Sequence, residues 1–217
     1  MEIKVVKNIL EANDVIAAQS RTLFAEKGIY VLNLMGSPGA GKTTLLEITI
    51  EHLKDKNHIA VIEGDIATSR DAERIAQHEV PAVQINTGGA CHLDGNMVRG
   101  ALKEFNLNQI DLLIVENVGN LVCPAEFTIG ENDKAMIISV TEGDDKPKKY
   151  PLMFQVSTVL LLNKIDLLPY LNFDVERFHD DALKVNPKLK IMALSCTTGE
   201  GLDAWFQWIE DSASRKR

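Results

Sequence analysis

The chain has 217 residues, is 45% hydrophobic and carries a formal net charge of −8. That length and apolar content suit one large core, so a single α/β domain over 1–217 is expected, with 1–27 as a helical arm packed on it. The acidic balance, with no basic stripe beyond a solvated Arg215-Lys216-Arg217, excludes nucleic acid as a partner; no run reaches membrane-spanning length and no signal-peptide core opens the chain, so a cytoplasmic protein away from the membrane is expected.

Taken in order, Met1 to Lys27 places Val5, Val6, Ile9, Leu10, Val15, Ile16, Leu23 and Phe24 mostly at helical spacing, which predicts one or two amphipathic helices ended by Gly28. Ile29 to Met35 is an apolar, β-branched-rich run and predicts a buried strand. It delivers Gly36-Ser37-Pro38-Gly39-Ala40-Gly41-Lys42-Thr43-Thr44, the G-x-x-x-x-G-K-[ST] of a phosphate loop, with a helix predicted over Leu45 to Leu53. Glycines at 36, 39 and 41 let backbone N–H groups approach phosphate oxygens. Lys42, read as an exposed loop residue, supplies a cation to the β/γ-phosphates, and the Thr43 hydroxyl suits Mg²⁺.

Ile59 to Glu63 predicts a second strand, ending at Gly64 and Asp65. Asp65 is read as a magnesium ligand, direct or through water; the competing reading is an N-cap for a helix over Ser69–Gln77. Val83 to Asn86 is a third strand, and Thr87-Gly88-Gly89-Ala90 turns into a helix running roughly from His92 to Phe105, opened by Cys91-His92. Ile110 to Glu116 is a fourth strand that ends on Glu116 where an Asp is usual. The next residues, Asn117 to Glu126, are read as a switch in which Gly119 offers its N–H to a γ-phosphate, against an ordinary loop. Ala135 to Val140 is a fifth strand, and Thr141 to Lys149 a charged, surface-exposed connection.

Thr158 to Leu162 is a sixth strand carrying Asn163-Lys164-Ile165-Asp166. An aspartate there accepts from guanine's N1–H and exocyclic amine, a donor pair that adenine lacks. Lys164's stem lies along the base and Asn163 ties this loop to the phosphate loop. Ile191 to Leu194 is the last strand, after which backbone N–H groups of Ser195, Cys196 and Thr197 cover the base. Leu202 to Ile209 closes the chain as an amphipathic helix, with Trp205, Phe206 and Trp208 as packing residues. The alternation predicts a doubly wound, mostly parallel sheet of about seven strands flanked by helices, with its nucleotide site on the carboxyl rim.

Three cysteines, Cys91, Cys123 and Cys196, are too few for a disulfide scaffold. Cys91-His92 and Cys123-Pro124 both fall near the nucleotide rim. They read as ligands for a soft or borderline cation such as Zn²⁺ or Ni²⁺, against the alternative of small core hydrophobes. On a helix start, neighbours 91 and 92 point in different directions, so one metal need not use both.

Taken together, Gly36 to Thr44, Glu63-Gly64-Asp65, Thr87-Gly88-Gly89-Ala90-Cys91-His92-Leu93-Asp94, Glu116-Asn117-Val118-Gly119-Asn120-Leu121-Val122-Cys123-Pro124 and Asn163 to Leu167 resemble the HypB family. These are P-loop GTPases that assist nickel insertion into nickel–iron hydrogenase, relatives of the urease accessory GTPases. The motifs themselves give GTP/GDP and Mg²⁺ as cofactors, with Thr43, Asp65 and Glu116 around the magnesium, Lys42 on the phosphates in hydrolysis, and Asp65 or Glu116 open as the group that positions water. The resemblance implies Cys91, His92 and Cys123 as a site for Ni²⁺ or Zn²⁺, and a homodimer formed on GTP binding. It further implies a HypA-type nickel metallochaperone and the hydrogenase large subunit as partners. The sequence departs from some members in having no N-terminal cysteine motif and no histidine-rich stretch, which leaves nickel storage outside the expectation. The rival expectations are an accessory GTPase of the urease or cobalamin type, and a passive metal-binding protein with structural nucleotide.

Overall fold

The computed structural model describes residues 5–65, 74–75 and 77–214, without the side chains of 5–8 and 65. Each apolar run read as a strand forms one: β1 (Tyr30–Gly36), β2 (Ile59–Asp65), β3 (Ala82–Asn86), β4 (Leu112–Glu116), β5 (Asp133–Ser139), β6 (Val159–Asn163) and β7 (Lys190–Ala193). They make one seven-stranded sheet in the order β3-β2-β4-β1-β5-β6-β7. Every neighbouring pair is parallel, where a mostly parallel sheet was expected. Continuous apolar strands fit this arrangement, because both faces of a parallel sheet are covered by helices.

Helices α1 (Val5–Lys27), α2 (Lys42–Leu53), α3 (Gly95–Ala101), α4 (Cys123–Glu126), α5 (Lys146–Lys149), α6 (Pro151–Val156), α7 (Val175–Val185) and α8 (Leu202–Ser214) surround the sheet. On one face α2 and α8 cover Leu32, Leu34, Ile114 and Leu161, and Trp205 Nε1 donates to Thr49 Oγ1 at 2.9 Å across the helix pair. On the other, α1 and α3 cover Val31, Ile62 and Val115, while α6 and α7 cover Met35, Ile138 and Leu162.

Several boundaries and faces differ from expectation. The arm forms one helix, and its packed face is Asn13, Ala17, Ser20 and Phe24, spaced at helical intervals; Ile9 and Val15 are exposed. Gly28, at φ 69°, ends it with the Ile29 N–H bonded back to the Phe24 carbonyl. The helix expected from His92 starts at Gly95, because the Asp94 carboxylate accepts from the Met97 N–H and caps it there. It gives way to a 3₁₀ turn over Leu102–Glu104 before Phe105. The connection expected to be surface-exposed is largely half-buried, holding a 3₁₀ turn (Val140–Glu142) and α5. Helix α7 had no counterpart in the sequence reading; Asp174 caps it through the Arg177 N–H. Of the helix expected over Ser69–Gln77, residues 74–75 are helical and 77 is in a turn; the remainder lies outside the described residues.

Candidate functional site

The phosphate loop joins β1 to α2 at the centre of the carboxyl rim. Gly41 takes φ 104°, and a Cβ there would meet Asn163 Nδ2 at 2.4 Å, so both its conformation and its neighbour demand glycine. Lys42 is buried in the first turn of α2, in contrast to the exposed loop residue expected. Its Nζ curls back to the carbonyls of Gly36 (3.3 Å) and Ser37 (3.1 Å). Thr43 Oγ1 donates to Glu116 Oε1 at 2.9 Å, which brings two of the expected magnesium ligands side by side as hard oxygen donors. The Asp65 side chain and the Ile66 to Thr68 stretch lie outside the described residues.

A cavity of about 480 Å³ opens over this loop, lined by Gly39, Lys42, Thr43, Glu116, Gly119 and Lys164 among others. Two residues that the motifs did not single out contact the phosphate-loop segment, Arg74 in the cavity wall and Glu142 outside it. Arg74 binds Glu47 of α2 through Nε at 2.9 Å and reaches Thr44 Oγ1 at 3.4 Å through Nη2. Glu142 accepts from the Ser37 hydroxyl and, through Oε1, from the Ser139 N–H at 2.8 Å. The Ser139–Glu142 capping box is a readable local signal, whereas its bond to Ser37 is long-range. A larger cleft, of about 870 Å³, lies at the opposite rim beside His58, His78 and Asp111, away from every site residue expected from the sequence.

The base loop is organised by one buried carboxamide. Asn163 Nδ2 donates to the Ala40 carbonyl at 2.9 Å, and Oδ1 accepts from the N–H groups of Lys164 (2.7 Å) and Cys196 (3.1 Å). Lys164 sits in the left-handed region at φ 63° and its Nζ reaches the Gly39 carbonyl at 2.8 Å. Ser195 Oγ donates to Asp166 Oδ1 at 2.5 Å. The N–H groups expected over the base are engaged within the loop: Ser195 with the Glu200 carbonyl, Cys196 with Asn163, and Thr197 with the Ser195 hydroxyl. Burial pushes the Cys196 thiol up to about 11, so it is a packed thiol rather than a reactive one. Asn163→Ala leaves the Ala40 carbonyl and two N–H groups unpaired. It is expected to lower unfolding stability by about 1–3 kcal/mol, read by urea denaturation; wild-type stability would refute this tying role.

The third constellation is the thiol–imidazole cluster. The ligand atoms of Cys91, His92 and Cys123 all lie within 4.8 Å of one another, and all three residues are half-buried. Cys91 and His92 sit in a bend ahead of α3, and the bend turns Cys91 Sγ to within 3.7 Å of His92 Nδ1. Adjacent side chains therefore converge here, where a helix start would have splayed them. Burial pushes the His92 imidazole below the usual histidine range, favouring the neutral ring that a metal ion binds. The hydrogen bond with Cys91, and then burial, raise the Cys123 thiol. The His92 ring stacks on Phe127, centroids 3.9 Å apart. Two soft thiols and an imidazole in one half-buried cluster suit a borderline cation such as nickel or zinc.

The segment between the phosphate loop and the thiol–imidazole cluster touches both. The Asn120 N–H donates to the Gly36 carbonyl at 3.0 Å and Asn120 Nδ2 to the Cys91 carbonyl at 3.3 Å. Gly119 is pressed on Pro38 so closely that a Cβ would stand 3.0 Å from the ring.

Comparison with known proteins gives concordant results. The CobW/HypB/UreG nucleotide-binding domain matches residues 30–193. Hydrogenase maturation factor HypB of Escherichia coli (strain K12) is 51% identical over 203 residues, 94% of this chain and 70% of that protein. The crystal structure of hydrogenase maturation factor HypB from Archaeoglobus fulgidus superposes with a TM-score of 0.88 at 38% identity, covering 94% of this chain and 99% of that one. HypB from Helicobacter pylori, solved in complex with nickel, gives the same TM-score of 0.88 at 39% identity, covering 94% and 96%.

Proposed function

Since this chain belongs to the HypB family of hydrogenase maturation factors, we propose that it is a GTP-hydrolysing metallochaperone that carries nickel at Cys91, His92 and Cys123 toward nickel–iron hydrogenase. The observation that carries the reading is the contact of one segment with both sites. Asn120 bonds the phosphate loop at Gly36 and the donor loop at Cys91, three residues before Cys123. A change of nucleotide at the first site is therefore felt at the second.

In hydrolysis, Lys42 and the loop N–H groups stabilise charge on the β- and γ-phosphates while water attacks in line. Thr43 and Glu116 are the oxygen donors for Mg²⁺, which when bound neutralises charge on the same phosphates. Asp166 reads guanine, held by Ser195; Asn163 locks the base loop to the phosphate loop. One protomer supplies three soft donors, one short of a four-coordinate shell. A second copy across a two-fold axis completes it, giving a GTP-dependent homodimer with metal at the interface. A HypA-type metallochaperone and the hydrogenase large subunit are the partners this reading assigns.

The test measures nickel stoichiometry and dimerisation in parallel for wild type, Cys91→Ala and Cys123→Ala, each with GDP and with a non-hydrolysable GTP analogue. The expected result is nucleotide-dependent nickel binding that both variants abolish. Full nickel binding by both variants would remove the site, and equal binding by monomer and dimer would remove the shared shell.

A further inference from the structure

Beneath both sites runs a buried polar layer that phosphate binding and metal ligation leave unexplained. Asn33 lies in the middle of β1, fully buried among apolar neighbours. Its Oδ1 accepts from Asn117 Nδ2 at 3.1 Å, and its Nδ2 donates to Glu131 Oε1 at 3.4 Å. Lys134 extends the layer, donating to the carbonyls of Phe127 (3.0 Å) and Ala125 (3.5 Å) at the end of the Cys123 helix. Buried polar groups of this kind are tolerated when each has a partner, and they then fix one arrangement.

Two asparagines in this region do different work. Asn117, buried at the end of β4, accepts two backbone N–H groups on one oxygen: Leu93 at 2.9 Å and Val118 at 3.0 Å. Leu93 directly follows His92, and Val118 directly precedes Gly119, which packs on Pro38. One carboxamide oxygen thus holds the donor loop and the nucleotide-side segment together. Asn13 of α1 accepts from the Gly95 N–H at 2.8 Å and donates to the Thr128 carbonyl at 2.9 Å. It clamps the two donor-bearing segments to each other and to the helix, and its bonds reach neither the phosphate loop nor Val118.

We propose that Asn117 is the positioning residue that couples nucleotide state to nickel affinity, whereas Asn13 only preorganises the donor cluster. The inference rests on the nickel-carrying GTPase reading above and names the physical link within it. Movement of Val118 and Gly119 as a γ-phosphate arrives or leaves shifts the shared acceptor, and hydrogen bonds weaken steeply with misalignment. Leu93, and with it His92 and Cys91, then relaxes or tightens. Coupling of this kind is reciprocal, so nickel changes GTP affinity by the factor by which GTP changes nickel affinity.

The experiment compares Ni²⁺ affinity in the GDP state with that in the state bound to a non-hydrolysable GTP analogue. It uses wild type, Asn117→Ala and Asn13→Ala. Allosteric factors are typically about 5–150-fold. A wild-type ratio in that range should fall several-fold in Asn117→Ala, the remainder being carried by the Asn120 bonds to Gly36 and Cys91. Asn13→Ala should weaken nickel in both states by a similar factor and keep the ratio. A ratio retained by Asn117→Ala overturns the inference alone; a wild-type ratio of one overturns the coupled reading and the inference with it. Amide hydrogen exchange on wild type decides the matter if Asn117→Ala does not fold. The Leu93 and Val118 amides should change protection together on nucleotide exchange, and a Leu93 amide indifferent to the nucleotide would overturn the proposal.

Discussion

Asp166→Asn is expected to move the base preference from guanine to xanthine. Ser195 Oγ holds Asp166 Oδ1 at 2.5 Å, so one oxygen of the carboxylate is committed to the protein. In the amide variant the carbonyl oxygen keeps that hydroxyl, because it is the only acceptor of the two termini, and the NH₂ group takes the outward position. Guanine presents donors there, which the new donor opposes, while xanthine presents a carbonyl that it meets. Sites built to hydrogen-bond a particular group reject the mismatched analogue by on the order of 10⁴-fold. Competition of GTP and XTP against labelled GDP measures the change. An unaltered preference for GTP would take Asp166 out of base recognition. The double variant Asp166→Asn with Ser195→Ala sharpens the test, since an amide freed from Ser195 should regain part of its GTP binding by rotating.

The parts of this molecule legible in its sequence are those whose physics is local. Strands buried on both faces announce themselves as apolar runs, and the glycines, Lys42 and Thr43 of the phosphate loop work within one short stretch. Asn163 to Asp166 is legible as a short motif at a strand end, although Asn163 and Lys164 also bond Ala40 and Gly39 far away in sequence. Where the reading failed, the deciding group was elsewhere or was a short polar cap. The helix after β3 starts at Gly95 because Asp94 captures the Met97 N–H, and moving that start turned two divergent side chains into a convergent pair. Helix α7 was legible in principle: Asp174 caps it, and Phe178 and Ala182 recur at helical spacing. Glu142, by contrast, meets Ser37 from 105 residues away, and Asn13 meets Gly95 from 82 residues away. No period or motif encodes such pairs. Buried asparagines also look like surface residues to any hydropathy argument, so the layer joining the two sites was invisible until the fold brought it together.

Lys42→Ala is expected to lower the rate of GTP hydrolysis by about 10²–10³-fold, by analogy with the loss of one preorganised donor to developing charge. The loss should fall on the chemical step, so single-turnover hydrolysis at saturating GTP is the measurement. The burial of Lys42 adds a second consequence that an exposed lysine would not have. Its ammonium bonds the carbonyls of Gly36 and Ser37, curving the loop around its own cation. Truncation leaves those carbonyls to water and relaxes the loop, at about 0.5–1.5 kcal/mol per hydrogen bond lost. That is a fraction of the roughly 5–15 kcal/mol that holds a domain of this kind folded, so the variant should fold with a lower melting temperature. GTP binding should then shift that temperature less in the variant than in wild type, because the ligand's charge has lost its partner. A variant that hydrolyses GTP at the wild-type rate would remove Lys42 from phosphate stabilisation and leave it only the shaping of the loop.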